Sequence, residues 1–231
     1  MVTFAWISIG TALSCALIIA LDEVRNPQPM GVMNVVWPVT ALYFSIFGVW
    51  AYLRWGRPKA LTHKPMGSTT NDDRRESVHT QARPTPGQVA VSASHCGAGC
   101  MIADVLCAFV VAVAGLRLLG STLWAEFLLD FVVAWMLGVV FQYLAIKPMR
   151  DLTPFQSVIA AAKADTLSIV AFQVGMYGWM ALVHFKLFSD PHLTPFQSPF
   201  WLMMQIGMIC GFATTLPVNY LLLRSGLKEA M

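Results

Sequence analysis

The chain has 231 residues, of which 57% are apolar and only 12% charged, with a net charge of +3; an average soluble domain carries about 25% charged residues. Mean hydropathy is +0.62. These values exclude an ordinary soluble enzyme and point to an integral membrane protein, in which a small basic surplus reports topology and carries no nucleic-acid signal.

Taken in order, apolar stretches long enough to cross the hydrocarbon core, which needs about 20 residues, predict six spanning helices at residues 2–21, 31–53, 98–118, 123–145, 157–185 and 199–223. The runs lack the two-residue alternation of a membrane barrel, so the predicted class is all-α. The first run has no Lys or Arg before Arg25 and no small-residue cleavage site, so it reads as a true span and not as a signal peptide. With the six helices placed, eleven basic residues fall on one side and three (Arg25, Arg117 and Lys186) on the other, Lys163 lying within the fifth helix. By the positive-inside rule both termini of this multi-pass arrangement face the cytoplasm.

Residues 56–92 are rich in Pro, Gly, Ser, Thr and charge and contain no aromatic residue. Such a stretch buries too little apolar surface to order itself, and reads as a flexible cytoplasmic linker. It divides the chain into an N-terminal hairpin (1–55) and a four-helix domain (93–231). His63 and His79 within it read as solvated residues. The hexapeptide LTPFQS occurs at 152–157 and 193–198; Thr followed by Pro is a helix-start signature, so both copies are read as helix starts.

Chemistry concentrates at 94–107, SHCGAGCMIADVLC, where three of the five cysteines lie. With Ser94 as N-cap, Cys96, Cys100 and Asp104 share one helical face and His95 adjoins it. Thiols in the first turn of a helix feel its positive end, which favours the thiolate that binds soft ions or attacks disulfides. Thiolates select Cu(I) or Zn(II). The C-x3-C spacing differs from the C-x2-C of zinc ribbons and thiol oxidoreductases. Cys15, Cys107 and Cys210 read as buried small hydrophobes, and Gly97 and Gly99 as points of close helix approach.

Deeper in the bilayer, Met176, Met180 and His184 are spaced i, i+4, i+8, and Met204 and Met208 repeat the M-x3-M interval. Thioethers so spaced can pass Cu(I) stepwise or simply pack. Charges within spans each need a partner or a wet cavity: Arg117 is expected to neutralise Glu126 and Asp130, Lys163 to snorkel, and Asp104 and Asp165 to remain as functional candidates. Gln142, Gln173, Gln205, Asn34 and Asn219 are candidates for interhelical hydrogen bonds.

The strings LDEVRNPQPMGVMNVVWPVTALYF, SHCGAGC, FQYLAIKPMRDL, AAKADTLSIVAFQVGMYGWMA and FWLMMQIGMICGFATTLPVNYLL resemble a family of bacterial integral membrane proteins catalogued as a domain of unknown function. The resemblance covers most of the chain outside 56–92. It implies that His95, Cys96, Cys100, Lys163 and Asp165 belong to the family's characteristic strings, and implies no activity.

The expected function is therefore handling or transport of a soft metal ion, Cu(I) ahead of Zn(II), through His95, Cys96, Cys100 and Asp104, with Met176, Met180, Met204 and Met208 as internal ligands and Lys163 and Asp165 as further polar participants. The expected partners are the lipid bilayer and a metal chaperone or a second copy of the chain. The alternatives are a non-catalytic assembly protein and a thiol oxidoreductase using Cys96 and Cys100. No hydrolase or phosphate-loop motif is present, so a non-enzyme is favoured.

Overall fold

The computed structural model describes residues 1–57, 83–146 and 154–228. Every regular element among them is helical: α1 (Val2–Arg25), α2 (Met33–Phe44), α3 (Ile46–Ala51), α4 (Pro86–Ala114), α5 (Thr122–Ile146), α6 (Pro154–Leu182) and α7 (Ser198–Arg224), with π-helical turns Tyr52–Gly56 after α3 and Val183–Leu187 after α6. Five helices are long and apolar enough to cross a membrane: α1, α4, α5, α6 continued to Leu187, and α7.

The second expected span departs from this pattern. At Ser45 the backbone turns to φ 51°, a conformation non-glycine residues rarely adopt, and divides 31–53 into α2, α3 and the π turn. With 12 residues, α2 is about 18 Å long at 1.5 Å per residue, against about 30 Å of hydrocarbon. Apolar composition is continuous through the break, so hydropathy alone does not reveal it.

The third helix also starts earlier than expected. Thr85 is its N-cap: Thr85 Oγ1 accepts from the Gln88 amide at 3.3 Å, Gln88 Oε1 accepts from the Thr85 amide at 2.9 Å, and Pro86 takes the first position. This is a capping box with proline at N1. It places Cys96 in the third turn of α4, well inside the helix. Gly115, at φ 63°, closes α4 in the left-handed conformation that glycine adopts without strain. Residues 58–82, with His63 and His79, and residues 147–153 lie outside the described residues. The Thr-Pro helix start holds at Pro154, the first residue of α6; at the second copy the helix begins only at Ser198, with Gln197 as N-cap.

Helices α4 to α7 form a bundle in which α6–α7, α4–α5 and α5–α6 pair most extensively, while α1 and α2 pack on each other and against α4 and α7. Lipid offers no hydrophobic drive between helices, so close packing and buried polar bonds hold them together. Gln205 on α7 does this for the hairpin. Its amide nitrogen donates to Leu42 O at 2.8 Å, and its Oε1 accepts from Ser8 Oγ on α1 at 2.7 Å. The bundle core gathers Tyr43, Cys100, Ile169, Phe172, Met176, Met180, Met203, Met204 and Met208. Outward faces carry exposed Trp6, Leu13, Leu17, Met136, Val174 and Leu221, as lipid-facing surfaces do.

Candidate functional site

Near the linker end of the bundle, four elements bring one polar cluster together. Cys96 on α4 donates its thiol to Asp165 Oδ1 on α6 at 2.9 Å. Lys228, four residues beyond the end of α7, reaches back into the same point after the chain reverses at Gly226, where φ is 70°. Its Nζ lies 3.1 Å from Cys96 Sγ, 3.2 Å from Asp165 Oδ1, and 3.4 Å from both Ser168 Oγ and Asn219 Oδ1. The lysine and aspartate side chains are both wholly enclosed. On the α5 side the space is made by Gly138, where a Cβ would collide with Asp165 Oδ2 and Ile169 Cδ1.

An enclosed ion pair of this kind stands only if every charge is met. Burial alone draws the Lys228 pKa down; the Cys96 thiol and the Asp165 carboxylate outweigh that and leave it above the ordinary lysine value. The ammonium thus stays charged between a soft sulfur and a hard oxygen. Beside it, His95 is fully buried with neither ring nitrogen hydrogen-bonded among the described residues, packed edge-on to Phe141 at 5.9 Å. It lies close enough to Asp165 and Lys228 to feel both charges. A buried imidazole with two unmet nitrogens is costly, and here it borders the cluster.

The expected residues divide as follows. His95, Cys96 and Asp165 meet around Lys228. Cys100 sits in the apolar core with Met176, Met180, Met204 and Met208. Asp104 belongs to a separate group with Asp130, and Lys163 is exposed and outside the cluster. Two expectations are corrected. The cysteines are not at a hydrated helix N-terminus, because α4 begins ten residues before Cys96 and both thiols are buried. Arg117 is exposed, and Asp130 is met by Gln173 Nε2 at 2.9 Å and the Tyr177 hydroxyl at 2.7 Å. Among the described residues no three His, Cys, Asp or Glu side chains converge as a metal centre requires; at the Cys96 site the ammonium fills the central position. All five cysteines are free thiols.

Of the polar residues expected to bond between helices, Gln173, Gln205 and Asn219 do so. Asn34 instead receives the nearby Gln28 amide at 2.9 Å, and Gln142 is buried with Oε1 unmet. His184 stacks on His192 with ring centroids 3.8 Å apart. The residue that sequence reasoning missed is Lys228. Its partners are 132 and 63 positions away, and the only local signal is a Ser-Gly helix stop that turns the chain back.

No curated protein and no solved structure matches the chain. A family model does, over residues 87–228, from the foot of α4 through Lys228. The string at 21–44 lies outside that match. The chain belongs to the family described as Domain of unknown function (DUF4396).

Proposed function

We propose that this membrane protein handles a soft monovalent cation, Cu(I), at the site formed by Cys96 and Asp165 with His95 beside it. The observation that carries the reading is the Lys228 ammonium seated 3.1 Å from a buried thiol and 3.2 Å from a buried carboxylate. The seated ammonium supports reading this point as one that accepts a positive charge, and the thiolate left when the Cys96 proton departs is a ligand suited to a soft ion. The thiolate and the unmet imidazole favour a soft ion over Na⁺ or K⁺. The ion would enter as the thiol proton leaves and Lys228 withdraws. The thioethers of Met176, Met180, Met204 and Met208, in the same core as Cys100, supply soft contacts deeper in the bundle. The charge asymmetry supports placing the site at the cytoplasmic side of a bacterial inner membrane.

The competing reading is a structural clasp, in which Lys228 ties the C-terminal turn to α4 and α6 and nothing else binds. A redox role is less well supported, since Cys96 and Cys100 lie on consecutive turns of an unbroken helix and closure would distort it. Anaerobic Cu(I) titration of the detergent-purified chain decides between them. Near-stoichiometric binding that is lost in Cys96→Ser supports the cation site; a wild-type protein that binds no Cu(I) overturns it.

A further inference from the structure

A second polar group lies on the far side of Cys100, about 12 Å along α4 from Cys96 at 1.5 Å per residue. Asp104 of α4 and Asp130 of α5 are both buried, and their carboxyl groups are within hydrogen-bonding range of each other. Asp130 Oδ2 receives Gln173 Nε2 and the Tyr177 hydroxyl from α6. Asp104 Oδ2 and Asp130 Oδ1 receive nothing among the described residues, and neither does Gln173 Oε1, on a side chain only 2% exposed. Three buried acceptors on Asp104, Asp130 and the Gln173 that bonds Asp130 thus have no donor among the described residues. The other titratable groups that act on it are Glu126 of α5, Tyr177 of α6, and the Cys100 and Cys107 thiols of α4. None is a cation.

Two carboxylates this close in an apolar interior cannot both be charged; one must keep its proton and donate it to the other. We propose that Asp104 and Asp130 hold one proton between them and form a proton-exchange site inside the α4–α5–α6 bundle. Glu126, half-buried and one turn closer to the α4–α5 connection, provides the step between this pair and the far end of the bundle. Gln173 Nε2 holds Asp130 as an acceptor, and the Tyr177 hydroxyl, shared between Asp130 Oδ2 and Phe127 O, adds to it, which leaves Asp104 as the carboxyl that carries the proton. The site goes beyond the cation reading and stands or falls without any metal.

The test uses the full-length wild-type protein in detergent, without copper. Infrared spectra recorded between pH 6 and 8 are expected to show the carbonyl band of a protonated carboxyl, and dicyclohexylcarbodiimide, which adds to protonated carboxyls in apolar surroundings, is expected to label Asp104 or Asp130. In Asp104→Asn the remaining Asp130 has donors from Tyr177, Gln173 and the amide at 104 and no acidic neighbour in contact. With the proton-carrying carboxyl gone, the labelling of the pair at pH 7 should fall roughly tenfold, the change a single pKa unit gives, and the infrared band should weaken with it. The infrared arm reads the wild type directly, so it holds even if the variant folds poorly. A wild type with neither band nor label at pH 7 overturns the proposal, as does labelling of the pair that Asp104→Asn leaves unchanged. Label confined to Glu126 overturns it too.

Discussion

Replacing Lys228 by methionine keeps most of the side-chain stem and removes the charge, so it isolates what the ammonium does. In the folded protein that ammonium is wholly enclosed and holds four contacts, the shortest to Cys96 Sγ and Asp165 Oδ1. Removing one member of an enclosed ion pair leaves the other charge unmet, at a cost of about 3–5 kcal/mol; an exposed pair would cost about 0–1 kcal/mol. Lys228→Met should therefore destabilise by about 3–5 kcal/mol in denaturant titration followed by circular dichroism. Adding Asp165→Asn should recover most of that loss, because the stranded carboxylate is then gone. If the site accepts Cu(I), the ion replaces the missing ammonium, and Cu(I) at one hundred times its Kd should return about 2.7 kcal/mol, while K⁺ returns nothing. A loss below about 1 kcal/mol in Lys228→Met would refute the argument for an enclosed, energetically coupled pair. Destabilisation without recovery by Cu(I) would leave only the clasp.

Gly138→Ala places a methyl group against Asp165 Oδ2 and Ile169, so it should cost about 1–3 kcal/mol, as overpacking does, and weaken Cu(I) binding in the same titration. Tyr177→Phe removes one of the two donors to Asp130 Oδ2, and should cost about 1–2 kcal/mol in the same denaturant assay. Gln205→Leu removes the Ser8 and Leu42 bonds that join α1 and α2 to α7, and should cost about 1–3 kcal/mol in the same denaturant assay. Because the Lys228 pKa is raised by folding, its stabilising contribution is fully present below the unfolded lysine value near 10.4 and disappears as pH rises through the higher folded value. The stability gap between wild type and Lys228→Met should thus be flat from pH 7 to about 9 and close only at strongly alkaline pH.

Composition made the all-α membrane architecture legible, and five of the six expected spans correspond to long apolar helices. The exception turns on Ser45, whose left-handed φ breaks a stretch that is apolar on both sides. The start of α4 was legible in principle, since Thr85-Pro86-Gly87-Gln88 carries both a capping box and an N1 proline. Its position inside a polar, proline-rich run hid it and shifted the cysteines in expectation to a helix end. Cys96, Cys100 and Asp104 lie at four-residue intervals in α4, but facing residues decide what such a stripe does. Asp165 and Lys228 claim Cys96, the methionine core encloses Cys100, and Asp130 claims Asp104. These pairings join residues far apart in the chain, and helical spacing within one segment carries no information about them.

Copper-edge X-ray absorption of the anaerobically loaded, detergent-solubilised protein tests the central claim most directly. The cation site predicts a Cu(I) centre with a sulfur ligand that disappears in Cys96→Ser and persists in Cys107→Ser, whose thiol lies outside the cluster. Copper bound only by oxygen, or a sulfur signal that Cys96→Ser leaves intact, would contradict it.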